Sequence, residues 1–195
     1  MLRPTVKNNI LVIDDFIPLS YQEKFKTWLL KGNFPWYYSS DITDKNGSQF
    51  RPSVSHLIYA NGEKISTLEV DILAHLGAEK FGWTFNAIAQ AKTILQFPLN
   101  PAAIGTELDT LHTDIEPHYP HLVVLYYVID ADGNTIICDK KHNGTFEKNL
   151  RAEDCKILQK VTPKQGRAVL FDGSYYHTAE QPKNGMRCII NLNVY

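Results

Sequence analysis

Cysteine is scarce in this sequence. The 195 residues contain three, Cys138, Cys155 and Cys188, with no Cys-x-x-Cys pair. An odd number at wide spacing excludes a disulfide framework and a thiolate zinc cluster, and suits small core residues in a reducing compartment. An excess of one charge is also lacking: 20 Lys and Arg face 21 Asp and Glu, a formal net charge of -1. The short basic stretch Lys140-Lys141-His142 has acidic residues around it, so no electrostatic footprint for nucleic acid is present. No apolar run approaches the roughly 20 residues a membrane helix requires, and the best, Leu122 to Ile129, is far shorter. The opening Met1-Leu2-Arg3-Pro4 lacks the apolar core and cleavage site of a signal peptide, so a cytoplasmic location is expected. Internal repeats and low-complexity tracts are absent. What is left is a chain of globular composition, 44% hydrophobic and 21% charged, long enough for one domain.

Two styles of sequence meet near Asn100. Before it, short strands mix with helices. Asn9 to Asp15 reads as an edge strand ending on paired aspartates. Ser20, with Glu23 three residues on, has the pattern of a capping box, and Phe25, Trp28 and Leu29 follow at helical spacing until Gly32 and Pro35. A second cap is expected at Ser66, with Leu68, Ile72, Leu73 and Leu76 on one face as far as Gly82. Between them Ser39 to Ser53, with Asn46-Gly47, is either a hairpin with a long tip or a mobile loop. The loop from Asp41 to Arg51 is the expected substrate cover, since long polar loops on a rigid scaffold often have that part.

From about Lys92 onward, strands dominate. Val123 to Ile129 is β-branched and aromatic, fit for a buried strand. Asp132-Gly133-Asn134 signals a turn, and Thr135 to Cys138 is expected to pair back as a hairpin. Cys155 to Val161, Arg167 to Phe171, Tyr175 to Ala179 and Met186 to Tyr195 read as further strands. Many short strands with helices kept to the N-terminal side predict a β-sandwich or jelly roll with helical support.

The chemistry rests on few residues. In His112-Thr113-Asp114, positions i and i+2 of an extended segment share a face, so an imidazole and a carboxylate can converge on one ion. Chance alone supplies about 0.4 such triplets in a chain of this composition, so the triplet needs company. His177 lies on a strand that a jelly roll could set beside it. Two imidazoles and one carboxylate would leave three coordination positions open, the donor set of non-haem Fe(II) oxygenases. Arg187, ten residues past His177 in the sequence, is expected on the neighbouring strand, where its guanidinium could grip a dicarboxylate. Asn191 shares Arg187's strand face and could add a polar contact.

In this order, His112-x-Asp114, His177 and Arg187 resemble the 2-oxoglutarate and Fe(II)-dependent oxygenases, in particular their prolyl-hydroxylase-like branch. The lead-in Pro163-Lys164-Gln165-Gly166-Arg167-Ala168-Val169-Leu170-Phe171 is similar to that branch's Pro-x-x-Gly-x-hydrophobic-Phe. The Leu125-Tyr126-Tyr127-Val128 strand and the Asp132-Gly133-Asn134-Thr135 turn also fall where the branch has them. The likeness covers Gln96 to Tyr195, while Asp14-Asp15-Phe16 and the compact size look like small stand-alone members, some of them encoded by bacteriophages.

The resemblance implies one mainly β, α+β domain over 1-195. Residues 1-95 would be helical support and outer strands, and 96-195 a double-stranded β-helix (jelly roll) carrying the metal site. It implies Fe(II) on His112, Asp114 and His177, and the C5 carboxylate of 2-oxoglutarate on Arg187, assisted by Tyr127 or, failing that, Tyr126. O2 would be the second co-substrate, succinate and CO2 the products, and a prolyl or other peptidyl side chain the group hydroxylated. A free amino acid or small metabolite is the alternative substrate. Asn191 stands where a hydroxyl residue is usual, Gly133 where a pair of glycines is, and Asn100 to Leu111 is longer than the pattern.

Other readings stay open at this point: a metal-free jelly-roll binding module, or a zinc hydrolase on the same fold. No HExxH pattern is present, and His118 and His121, beside Pro117 and Pro120, are expected at the surface or in a substrate loop. His56, His75 and His142 are expected to be structural or solvated. Trp36-Tyr37-Tyr38 is expected in the core, with Tyr37 or Tyr38 as possible pocket walls.

Overall fold

The computed structural model describes residues 10–40, 51–100, 102, 108–114, 120–142, 150 and 155–195. The order of elements is β1 (Ile10–Ile13), α1 (Leu19–Leu29), β2 (Tyr37–Ser39), β3 (Ser53–Ala60), β4 (Glu63–Lys64), α2 (Asp71–Phe81) and β5 (Ile88–Gln96). There follow β6 (Leu122–Tyr127), β7 (Thr135–Lys141), β8 (Ile157–Val161), β9 (Ala168–Asp172), β10 (Tyr175–Ala179) and β11 (Arg187–Val194). Two antiparallel sheets result. The large one runs β1-β9-β6-β11-β5-β3-β2, with β4 appended to β3, and the small one β10-β7-β8. This is the jelly-roll sandwich, and its large sheet draws strands from both halves of the chain.

Strand alternation explains the layers. On β6, Val123, Leu125 and Tyr127 point between the sheets, where they meet Ile94, Ile137, Val161, Val169, Phe171, Tyr175 and Ile189. Leu122, Val124 and Tyr126 point the other way, against Phe25 and Leu29 of α1 and Leu73 and Ala74 of α2. Both faces of β6 are covered, which is why its sequence is apolar throughout rather than alternating. A third, smaller cluster of Leu111, Ile136, Cys138 and Tyr176 lies on the outer face of the small sheet.

Several local expectations are corrected. β6 and β7 do not form a hairpin: β6 pairs β9 and β11, whereas β7 pairs β10 and β8. The Asp132-Gly133-Asn134 turn instead carries the chain from one sheet to the other. It is pinned there by the Asp132 carboxylate, which accepts from the backbone N–H groups of Lys183 and Asn184. Helix α1 begins at Leu19 with Pro18 as its cap, without a side-chain cap bond. Ser20 is therefore inside the helix, because the Pro18 carbonyl takes the first N–H groups, from Tyr21 and Gln22. Ser66 likewise caps no helix: α2 starts at Asp71, and Ser66 Oγ accepts from the Leu68 N–H and contacts His56 Nε2. Gly82 does end α2, in the left-handed region at φ 76°.

Tyr37 to Ser39 pair with Ser53 to Ser55, so these ends of the polar segment form the hairpin arms, while the tip, with Asn46-Gly47, falls outside the described residues. Tyr37 and Tyr38 are exposed, 63% and 68%, and not core. No helix among the described residues is long and apolar enough to cross a membrane.

Candidate metal centre

The segment Leu108–His112 runs beside β10 through two antiparallel bridges, Leu108 to Glu180 and His112 to His177. His112 and His177 exchange N–H to carbonyl hydrogen bonds of 3.0 Å both ways. Cross-strand partners share a face, so both imidazoles project to the same side, 4.6 Å between ring centroids. Asp114 follows on the bend and completes the set, and one ligand atom from each residue lies within 4.8 Å of the others.

The gaps within the set matter. Asp114 Oδ1 lies 4.0 Å from His112 Nε2, and Oδ2 lies 3.7 Å from His177 Nε2. These are too long for hydrogen bonds and of the size an intervening ion would leave. His112 Nδ1 contacts the Thr110 carbonyl at 2.8 Å, and His177 Nδ1 the Tyr175 carbonyl at 3.2 Å. A carbonyl can only accept, so each Nδ1 carries a proton, and Nε2 is the ring atom turned toward Asp114. Burial, with His177 alongside, pushes His112 down to about 4. Burial alone would raise Asp114, but His177, Lys92 and His112 outweigh it and hold the carboxyl below its ordinary range. A divalent ion requires an Nε2 lone pair from each ring and an ionised carboxylate, and rings held through Nδ1–H can turn Nε2 to it. The residues therefore fit Fe(II).

A cleft leads from this set between the sheets. Its walls include Ile94, Leu125 and Ile189, and its far end holds Gln96, Thr135 and Arg187. Arg187 is 2% exposed. Its Nη1 donates to Gln96 Oε1 at 2.6 Å and its Nη2 to Thr135 Oγ1 at 2.8 Å, while Nε has no partner among the described residues. Burial lowers its pKa. A buried cation with an unused donor, facing the ligand set along an apolar cleft, fits an anionic co-substrate. Arg187 is not on the strand next to His177, as the sequence suggested, because β10 and β11 belong to facing sheets. It meets the same cleft from the opposite wall.

Tyr127 lies on Arg187's side, its hydroxyl 2.7 Å from Thr135 Oγ1 and its ring 5.8 Å from the guanidinium. Tyr126 points away, into the core, 5.9 Å from the Phe25 ring. Asn191 Nδ2 donates to Asp114 Oδ2 at 2.9 Å, so this residue orients a carboxylate of the set. Sequence reading missed Gln96, Thr135, Asp109 and Lys92, all of which line the cleft. The signal lay in register: Gln96 pairs with Arg187 and Lys92 with Asn191. Arg51, expected in the mobile loop, is instead 2% exposed and bonded to Leu108 and Gln181, while 41–50 fall outside the described residues.

The remaining histidines stand apart. His121 is 3% exposed, not at the surface, and its carbonyl accepts the Gly173 N–H at 2.8 Å; His118 falls outside the described residues. His56 bridges the Pro35 carbonyl and Ser66, and His75 packs 4.2 Å from the Phe85 ring. His142 stacks 5.9 Å from Tyr176.

The sandwich has a fold seen in solved 2-oxoglutarate/Fe(II) oxygenases. The chain superposes on an oxidoreductase of the 2OG-Fe(II) oxygenase family from Burkholderia pseudomallei with a TM-score of 0.65 and 10% identity, over 95% of this chain and 85% of that one. A prolyl hydroxylase from Trichoplax adhaerens, in complex with a hypoxia inducible factor peptide fragment, gives 0.61 and 13% over 97% and 84%. The non-heme alpha ketoglutarate dependent carbocyclase SnoK from nogalamycin biosynthesis gives 0.63 and 11% over 95% and 79%. No protein-family model and no curated protein matches the sequence. At such identities the likeness is one of fold.

Proposed function

We propose that this chain is an Fe(II)- and 2-oxoglutarate-dependent oxygenase that hydroxylates a prolyl or other peptidyl side chain. One observation carries the reading: His112, Asp114 and His177 converge at one end of a cleft whose other end holds a buried arginine. Bound there with 2-oxoglutarate and O2, Fe(II) would supply an oxidative decarboxylation that yields succinate and CO2 and puts one oxygen atom into the substrate.

The chain's own residues prepare this chemistry. His112 and His177 present lone pairs fixed by their Nδ1–H bonds, and Asn191 restrains Asp114. Arg187, held by Gln96 and Thr135, would take the C5 carboxylate, with Tyr127 behind Thr135. Ile94, Leu125 and Ile189 line the space between with apolar surface, and expelling water from it on binding would strengthen each charge interaction.

The peptidyl substrate is favoured by the family resemblance and by a peptide-bound prolyl hydroxylase among the similar folds. The carbocyclase keeps a small molecule as the second reading. Anaerobic titration of the apo-protein with Fe(II) and 2-oxoglutarate should give a saturable visible charge-transfer band, lost in His112→Ala and His177→Ala. No band from folded, metal-loaded protein would leave a jelly-roll binding module in its place. Succinate release stimulated by proline-containing peptides more than by free proline would support the peptidyl reading.

A further inference from the structure

The cleft contains a second cation. Lys92 of β5 lines it, four residues before Gln96 on the same strand, and pairs in register with Asn191 on one side and Leu57 on the other. At about 3.4 Å per residue, this places the Lys92 backbone about 14 Å from that of Gln96, toward the metal end. Asn191 fixes which end this is, because its side chain holds Asp114. Among the described residues the Lys92 side chain makes no hydrogen bond or ion pair, and it is half-buried.

Charge balance gives that lysine a purpose. Asp109 and Arg51 lie 3.9 Å apart, both nearly inaccessible, and cancel each other. Once the site is loaded, Asp114 and the two carboxylates of 2-oxoglutarate balance Fe(II) and Arg187. Among the described residues lining the cleft, Lys92 alone is then uncompensated. A co-substrate held by Arg187 at one end and the metal at the other has no further anionic group to offer it. Beyond Lys92 the face of the large sheet continues through Ser55, Leu57 and Tyr37. Leu57 and Tyr37 are 39% and 63% exposed, so this side is open to an incoming molecule.

We propose that Lys92 is a specificity-determining residue that binds a carboxylate of the primary substrate, close to the carbon that is oxidised. The proposal deepens the oxygenase reading and rests on it for the identity of the co-substrate. The carboxylate belongs either to the modified residue itself, as in a free amino acid or chain terminus, or to an acidic neighbour in a peptide.

Matched acid and amide pairs test this without turnover. Full-length protein loaded with Zn(II) and 2-oxoglutarate would be titrated, by ligand-observed NMR, with acetate against acetamide and N-acetylproline against N-acetylprolinamide. A third pair, N-acetyl-aspartyl-prolinamide against its asparaginyl counterpart, reports an acidic neighbour. In at least one pair the acid should bind about tenfold more tightly than the amide. That preference should vanish in Lys92→Met and survive in Lys92→Arg, while 2-oxoglutarate affinity, titrated separately, changes less than about twofold. Discrimination by N-acetylproline or by the aspartyl peptide tells the two sources apart.

Equal behaviour of acid and amide in all pairs, including no binding by either, overturns the proposal. So does a preference that persists in Lys92→Met, or a loss of 2-oxoglutarate affinity in that variant as large as the loss of the acid's. If 2-oxoglutarate fails to bind at all while the Lys92-dependent preference remains, the oxygenase reading falls and the carboxylate site stands.

Discussion

His112 and His177 are joined through their backbones before any ion joins their side chains: each donates its N–H to the other's carbonyl at 3.0 Å. The ligand set is thereby tied to strand pairing, not to a free loop. Removing a ligand side chain leaves this bridge intact, so metal binding and folding should separate. Asp114→Ala and His177→Ala should weaken Fe(II) by more than the roughly 10–100-fold that losing an outer-shell partner costs. Circular dichroism should report a native fold in both, and coupled 2-oxoglutarate turnover should be absent. An Asp114→Ala protein that binds Fe(II) as the wild type does would remove Asp114 from the ligand set.

Arg187 yields a different signature. Its guanidinium acts at the end of the cleft remote from the ligand set, so Arg187→Ala should leave Fe(II) affinity alone and weaken 2-oxoglutarate. Charge-assisted hydrogen bonds of about 1.5–3 kcal/mol correspond to a loss of about 10–100-fold. Arg187→Lys should recover part of it, because a lysine restores charge without the planar fork. The check is 2-oxoglutarate titration of the anaerobic Fe(II) protein, and unchanged affinity in Arg187→Ala would sink the assignment.

Much of this was legible in the sequence because its signals are local. The i, i+2 relation of His112 and Asp114 needs only an extended backbone, and the strand containing His177 announces itself by its aromatic residues. Pairing is less local. Asp132-Gly133-Asn134 says that the chain turns, but not which strand it meets next, hence the hairpin that the structure replaces with a crossing between sheets. The unbroken apolar run of β6 carried the warning, since a strand covered on both faces belongs inside a large sheet. Helix starts misled for a similar reason: Pro18 sets one start, and Ser66 is occupied by Leu68 and His56. Gln96, Thr135 and Lys92 were invisible because the first and last reach the site by the register of β5 on β11, and Thr135 by the facing of one sheet on the other.

Asp14 supplies a test of the lead-in motif. Arg167 donates to it from Nε and Nη2 at 2.6 and 3.1 Å, and Lys164 from Nζ at 3.0 Å. The hydrogen bond from Arg167, then that from Lys164, holds the Asp14 carboxyl at about 2, below the ordinary 3.8. A depressed carboxylate contributes stability above its unfolded pKa and loses it as pH falls through the folded one. Asp14→Asn should therefore cost stability near neutral pH and progressively less from about pH 4 toward pH 2. The side chain is 42% accessible, so solvent screening limits the effect to about 1 kcal/mol or less. Urea unfolding of both proteins at about pH 6 and about pH 3 measures the gap, and a gap that fails to narrow on acidification would show that the bidentate pair is not its source.

Gly77 tests how closely the helical layer sits on the sheet. It lies inside α2, where glycine is ordinarily unfavourable relative to alanine by up to about 1 kcal/mol. Here the order should reverse. A Cβ at Gly77 would stand 2.5 Å from Cγ2 of Val124 and 3.3 Å from its Cγ1. Val124 is fully buried on β6 and cannot turn aside without meeting its neighbours in the core. Gly77→Ala should then destabilise by about 1–3 kcal/mol despite the gain in helix propensity, as overpacking does. Pairing it with Val124→Ala removes both clashing methyl groups, so the double variant should be more stable than the sum of the single effects implies. Thermal or urea unfolding of the four proteins gives the coupling directly. Simple additivity would mean that α2 stands further from β6 than the contact at Gly77 requires.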